Sequence, residues 1–211
     1  MAPAIAFHPF VLELLSSRLC HDLISPVTAI NNGVELVTEM GAGMEESAMQ
    51  LIGNSARQAA GRLEFFRAAI GAAGGATTLS EEAARTAAET YFAETKITLE
   101  WPPTRLPPAL MDRPGGGKLV LNLLAVAAEG LPRGGVLSLT GAEAGAVTVT
   151  AAGTGAHLRE GVSAALAGET PIEALDSRLV FPYVSGALAR HYALSLTLES
   201  AAEPIMLRGS V

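Results

Sequence analysis

The sequence predicts an α+β protein, a long helical hairpin followed by a layered domain of strands and helices. Three observations predict it. Apolar side chains recur at steps of three and four through two long segments, the period of a helix with one buried stripe. Gly71-Ala72-Ala73-Gly74-Gly75-Ala76 then breaks the pattern and reads as a linker, dividing the chain into residues 1–75 and 76–211. Beyond it, short β-rich runs alternate with helical ones, the mixture that lays helices on one face of a sheet.

The first helix is predicted over Pro9–Met40, with its stripe at Leu12, Leu15, Leu19, Leu23, Val27, Ile30, Val34 and Val37. Gly41-Ala42-Gly43 is its stop signal. The second begins near Met44 and carries Ala48, Ile52, Ala56, Ala59, Leu63, Phe66, Ile70 and Ala73 at the same steps. So short a turn between them makes an antiparallel hairpin. A lone hairpin buries such a stripe poorly, so two chains are expected to pair their hairpins as a four-helix bundle, a homodimer. The competing expectation is that the second half of the same chain covers the stripe.

Ser80-Glu81-Glu82 opens a third helix to about Glu94, the serine capping and the acids complementing the helix dipole. Strands are predicted at 96–101, 136–140, 146–150, 194–199 and 204–207, and helices at 116–129, 158–167 and 181–191.

Composition narrows the function. Across 211 residues the net charge is -7, which argues against nucleic acid or an anionic membrane as the main partner. One cysteine leaves no internal disulfide and suits a reducing compartment. Residues 1–8 lack the basic leader of a signal peptide, and no uncharged apolar run reaches the roughly 20 residues of a membrane span. A cytoplasmic protein is expected. Scarce aromatic residues favour close helix packing over an aromatic-lined pocket. His8, His157 and His191 lie far apart, so no metal site is expected.

His21 is the candidate reactive group. It lies two residues from both Leu19 and Leu23, a rotation of roughly 200°, and so points away from the stripe. Four and three residues before it stand Ser17 and Arg18 and four after it Ser25, with Thr28 and Asn32 one and two further turns along the same polar face. A carboxylate that holds one ring nitrogen leaves the other free to attack, which makes Asp22 an orienter and base. Pro26 lacks the N–H a helix interior uses and presses on the Asp22 carbonyl, so a bend is expected one turn past the histidine. Arg18 is the cation of that face, placed to pair with an acidic partner edge or a phosphoryl group. Cys20 diverges from His21 by about 100° and reads as filler at the edge of the stripe.

Arg18-Leu19-Cys20-His21-Asp22-Leu23-Ile24-Ser25-Pro26 resembles the phosphoacceptor H box of sensor histidine kinases, and most of all that of ChpT-type histidine phosphotransferases of alphaproteobacteria. The order of elements after residue 76 is similar to the ATP-binding, Bergerat-type α/β sandwich of those kinases. Residues 121–127 with Pro132-Arg133-Gly134-Gly135 look like the N box and its turn. Val126 stands where that box has its magnesium-binding asparagine. In 150–155 Ala151 replaces the adenine-reading aspartate, and the glycine-rich lid is reduced to 185–189. The resemblance therefore implies a degenerate ATPase-like domain that does not bind ATP. It implies a histidine phosphotransferase, a phosphorelay transferase that becomes a phosphoprotein on His21. The donor would be the receiver of a CckA-like hybrid kinase, and the acceptors CtrA-like and CpdR-like response regulators. No cofactor would be bound by the chain itself, and Mg2+ would come with the receiver. An active ATP-dependent kinase and a noncatalytic dimeric scaffold are the rival readings.

Overall fold

The computed structural model describes residues 8–39, 45–72, 78–142 and 144–211. Helix α1 spans Pro9–Glu39 and α2 Glu45–Ala69. The two pack along their length as the expected hairpin, closely enough that a Cβ on Gly33 would lie 2.6 Å from Ile52 Cγ1. The predicted stop at Gly41-Ala42-Gly43, the start at Met44 and the 75/76 boundary lie outside the described residues.

Helix α3 (Glu81–Ala93) starts as its sequence dictates, with Ser80 Oγ accepting the Ala83 N–H at 3.2 Å. Then come β1 (Ile97–Glu100), α4 (Pro108–Met111), α5 (Gly116–Glu129), β2 (Gly135–Ala142), β3 (Ala146–Ala152), α6 (Val162–Ala167), α7 (Val180–His191), β4 (Ser195–Ser200) and β5 (Ile205–Ser210). The strands form one mixed sheet in the order β1-β2-β3-β5-β4, parallel between β1 and β2 and antiparallel elsewhere. Register places Leu137 opposite Ala151 and Leu139 opposite Val149. Val149 in turn faces Leu207, and Ala151 faces Ile205. All are buried, whereas Thr140, Thr197 and Arg208 are exposed, so the sheet is covered on one face by helices. Gly209 lets α5 approach, since a Cβ there would meet Leu119 and Leu123 side chains at 2.8 Å. This is the α+β layer the sequence predicts.

Two expectations change. The stripe of α1 is split: Leu15 and Leu19 pack on the main core of the same chain, while Leu12, Val27 and Val34 stay exposed. The scarce aromatics, moreover, are concentrated where hairpin and layered domain meet. Phe65 stacks on Tyr91 with centroids 4.4 Å apart, and Phe66 meets Phe181 edge-on at 5.9 Å. Below them a buried polar chain joins α2 to α5 and α7. Asn122 Nδ2 donates to the Ala69 carbonyl at 2.9 Å, Ser185 Oγ donates to Asn122 Oδ1 at 2.8 Å, and Lys118 Nζ donates to the Gly71 carbonyl. Every member has a partner, which makes such a network tolerable in a core.

Candidate functional site

Helix α1 presents His21 with its side chain 86% exposed. Its Nδ1 lies 3.3 Å from Asp22 Oδ1, so the acceptor oxygen fixes the proton on Nδ1 and leaves the Nε2 lone pair facing solvent. Ser17, Ser25, Thr28 and Asn32 are also exposed. Ile24, three residues on from His21, is 62% exposed and was absent from the polar face read in the sequence. Its signal was the i+3 spacing itself, which puts an apolar side chain beside the imidazole.

Asp22 is held from three sides. Its Oδ2 accepts from Arg18 Nε at 3.1 Å, its Oδ1 faces His21, and its carbonyl accepts from Arg62 Nη1 on α2. That last contact explains Pro26. A proline at this position cannot donate to the carbonyl four residues earlier, and Arg62 takes the vacated acceptor instead. Helix α1 runs through Pro26 without interruption and Pro26 is buried against the hairpin, so the ring causes no break in the helix.

Arg18 departs from its expected role. Its side chain is only 25% exposed and spends its donors within the chain: Nε on Asp22, Nη2 on Glu129 Oε1 at 3.2 Å, and Nη1 on the Ser177 carbonyl at 3.3 Å. The free cation expected at the partner-facing surface is an internal tie. Burial alone would lower the Arg18 pKa, but Glu129 and Asp22 raise it further, so the guanidinium is permanently charged. Glu129, at the end of α5, was missed by the sequence reading. Burial pushes its carboxyl up to about 7 against the pull of Arg18. No local signal marks it, because its partner sits on another element far away in sequence. Arg62 escaped for the same reason.

A cleft of about 320 Å³ opens beside this cluster, lined by Arg18, Glu129, His157, Arg159 and Arg178 among others. Cys20 is exposed rather than lodged at the edge of a buried stripe. Val126 and Ala151 are fully buried. An isopropyl and a methyl group there offer neither a metal ligand nor a hydrogen-bond acceptor.

A helical hairpin with an outward imidazole, docked on a one-faced α+β sheet, defines a class: phosphotransfer proteins built on histidine. The model of the histidine phosphotransferase C-terminal domain matches residues 81–204. A protein phosphotransferase ChpT from Brucella abortus (strain 2308) is 38% identical over 197 residues, covering 92% of this chain and 91% of the relative. A bacterial phosphotransferase of known structure superposes with a TM-score of 0.77 at 33% identity, covering 100% of both chains. The chain belongs to the histidine phosphotransferase family, and its function is phosphotransfer in a phosphorelay.

Proposed function

We propose that His21 is the residue that carries the phosphoryl group. The observation that supports it most is the exposed imidazole whose inner nitrogen is turned to Asp22. In this reading Nε2 attacks the phosphorus of a receiver's aspartyl phosphate in line. The N–P bond forms as the P–O bond to the aspartyl oxygen breaks, and the electron pair leaves with the receiver's carboxylate. Positive charge appears on the imidazole ring, and Asp22 stabilises it through Nδ1–H. The reverse step returns the group to a second receiver.

Magnesium would belong to the receiver, where it neutralises charge on the phosphoryl oxygens. Carboxylates beside His21 fit it poorly, since both oxygens of Asp22 are engaged and Glu129 is paired with Arg18. A receiver reaching Nε2 would cover Ser17, Ser25, Thr28 and Asn32, with Ile24 as an apolar contact and Arg18 at the margin. Donor and acceptors would be a CckA-like hybrid kinase and CtrA-like and CpdR-like regulators, a reading supported by the H-box resemblance.

Homodimerisation is supported by the apolar residues the hairpin leaves in water. Leu12, Val27, Val34, Met49 and Leu63 are each about half exposed, enough apolar surface to drive association. Residues 76–211 would serve as an ATPase-like scaffold that no longer holds nucleotide. A cytoplasmic location is in keeping with these partners, and no helix among the described residues is long and apolar enough to cross a membrane.

The test is label transfer to the full chain from a phosphorylated receiver, and separately from ATP. Wild type is expected to take acid-labile label from the receiver and none from ATP, and His21→Ala to take none from either with its circular dichroism unchanged. Label retained by a folded His21→Ala protein refutes the assignment, and label from ATP restores the kinase reading.

A further inference from the structure

We propose that Glu129 is a positioning residue for phosphotransfer, acting through Arg18 on the grip that Asp22 exerts on the His21 imidazole. The inference rests on His21 being the acceptor. Its basis is a continuous chain of contacts from the layered domain to the reactive ring: Glu129 to Arg18 at 3.2 Å, Arg18 to Asp22 at 3.1 Å, and Asp22 to His21 at 3.3 Å.

One guanidinium serves two carboxylates in this chain. What Arg18 gives to Asp22 it withholds from Glu129, because both anions draw on the same positive charge. Asp22 in turn divides its charge between Arg18 at Oδ2 and His21 at Oδ1. As the N–P bond forms on Nε2, the ring becomes cationic and Asp22 must strengthen its hold on Nδ1–H. Glu129 favours that step by pulling Arg18 toward the second domain, which leaves more of the Asp22 charge for the ring. Neutralise Glu129, and Arg18 bears on Asp22 alone.

Adjustment is confined to side chains. The Asp22 backbone is fixed from the other side by Arg62 on its carbonyl, and Arg18 is steadied by the Ser177 carbonyl. Glu129 also sits where a carboxylate is unfavourable twice over, partly buried and at the C-terminal end of α5, where the helix dipole repels negative charge. Arg18 is the one side chain that forms an ion pair with it among the described residues. A carboxyl group kept in such a place, and linked through Arg18 to the residue that orients the imidazole, has a use there beyond stability.

A mere tether between domains would move stability but leave the ring alone. The experiment therefore reads the ring. Full-length protein carrying 15N-histidine is compared as wild type, Glu129→Gln and Arg18→Lys, in long-range 1H–15N spectra of His21 and in the rate of His21 phosphorylation by phosphoramidate, a small donor that needs no docking surface. Gln keeps the shape of Glu without its charge, and Lys keeps the charge of Arg without the fork that spans two carboxylates. Both variants are expected to change the His21 tautomer signature and to slow phosphorylation about fivefold or more. The double variant is expected to be no slower than the slower single one, as for residues acting through one path.

Wild-type rates and an unchanged ring spectrum in folded Glu129→Gln overturn the proposal, as do additive losses in the double variant. If Glu129→Gln fails to fold, Arg18→Lys decides on the same two readouts. A wild-type chain that takes label elsewhere than on His21 overturns the acceptor reading and this inference with it, whereas label on His21 at an unaltered rate in both variants overturns only the role of Glu129.

Discussion

Helices α1 and α5 are both rich in apolar side chains and put them to opposite ends. Of the 31 residues of α1, only Val11, Pro26 and Gly33 are buried, and Leu12, Ile24, Val27 and Val34 stay in water. Of the 14 residues of α5, eleven are buried, among them the polar Lys118 and Asn122. The contrast separates two tasks. Helix α5 is where the sheet, α2, α3 and α7 converge, so every face has a neighbour inside the chain. Helix α1 has α2 on one side and the layered domain at a few points, and keeps the rest for partners. Burial identifies a structural helix, and a half-wet apolar helix identifies a working one.

The comparison breaks first at α5. Leu123→Ala removes a side chain with no exposure and leaves a cavity under the sheet, for an expected loss of about 2–5 kcal/mol in urea unfolding. A loss below about 1 kcal/mol would mean that α5 is looser than its burial says.

Next in size is the pH dependence tied to Glu129, which faces Arg18, Asp22 and Arg159. Its carboxyl is raised to about 7 in the folded chain from an ordinary 4.5, so the folded state holds the proton more tightly. Stability from this group is complete below pH 4.5 and lost as pH rises through 7, on the order of 3 kcal/mol at most. Unfolding free energies measured between pH 5 and 8 should fall with pH in wild type and much less in Glu129→Gln. Parallel curves would place the titration elsewhere.

A charge on the wet side of the hairpin should do the reverse of a core truncation. Leu63→Glu, at a position 55% exposed in the single chain, is expected to change chain stability by less than about 1 kcal/mol while sedimentation shifts from dimer to monomer. An unshifted dimer would locate the interface away from α2. The smallest expected effect is none: millimolar ATP should leave the melting temperature unchanged, whereas binding at 100 times Kd would add about 2.7 kcal/mol.

Local chemistry was legible in the sequence and remote pairing was not. Ser80 announced its cap, the apolar period announced α1 and α2, and the spacing of His21 from the stripe announced its outward direction. Arg18 was misread because its neighbours along the helix are polar, while its decisive partner, Glu129, arrives from α5 only after folding. The stripe of α1 was read as one seam because periodicity shows that a face is apolar and not what covers each part of it. Short α4 carries too few residues for any period to appear.

The contact between Arg62 and the Asp22 carbonyl also works as an indexing pin. Because Pro26 has removed the helix's own donor, that one oxygen has no substitute within α1. If α2 slid by a single turn, about 5.4 Å, the guanidinium would be carried past its notch and the oxygen left without a proton. Small rotations and tilts of the hairpin remain open to it, but ratcheting does not. A signal that reached the histidine by sliding one helix along the other would first have to pull the pin.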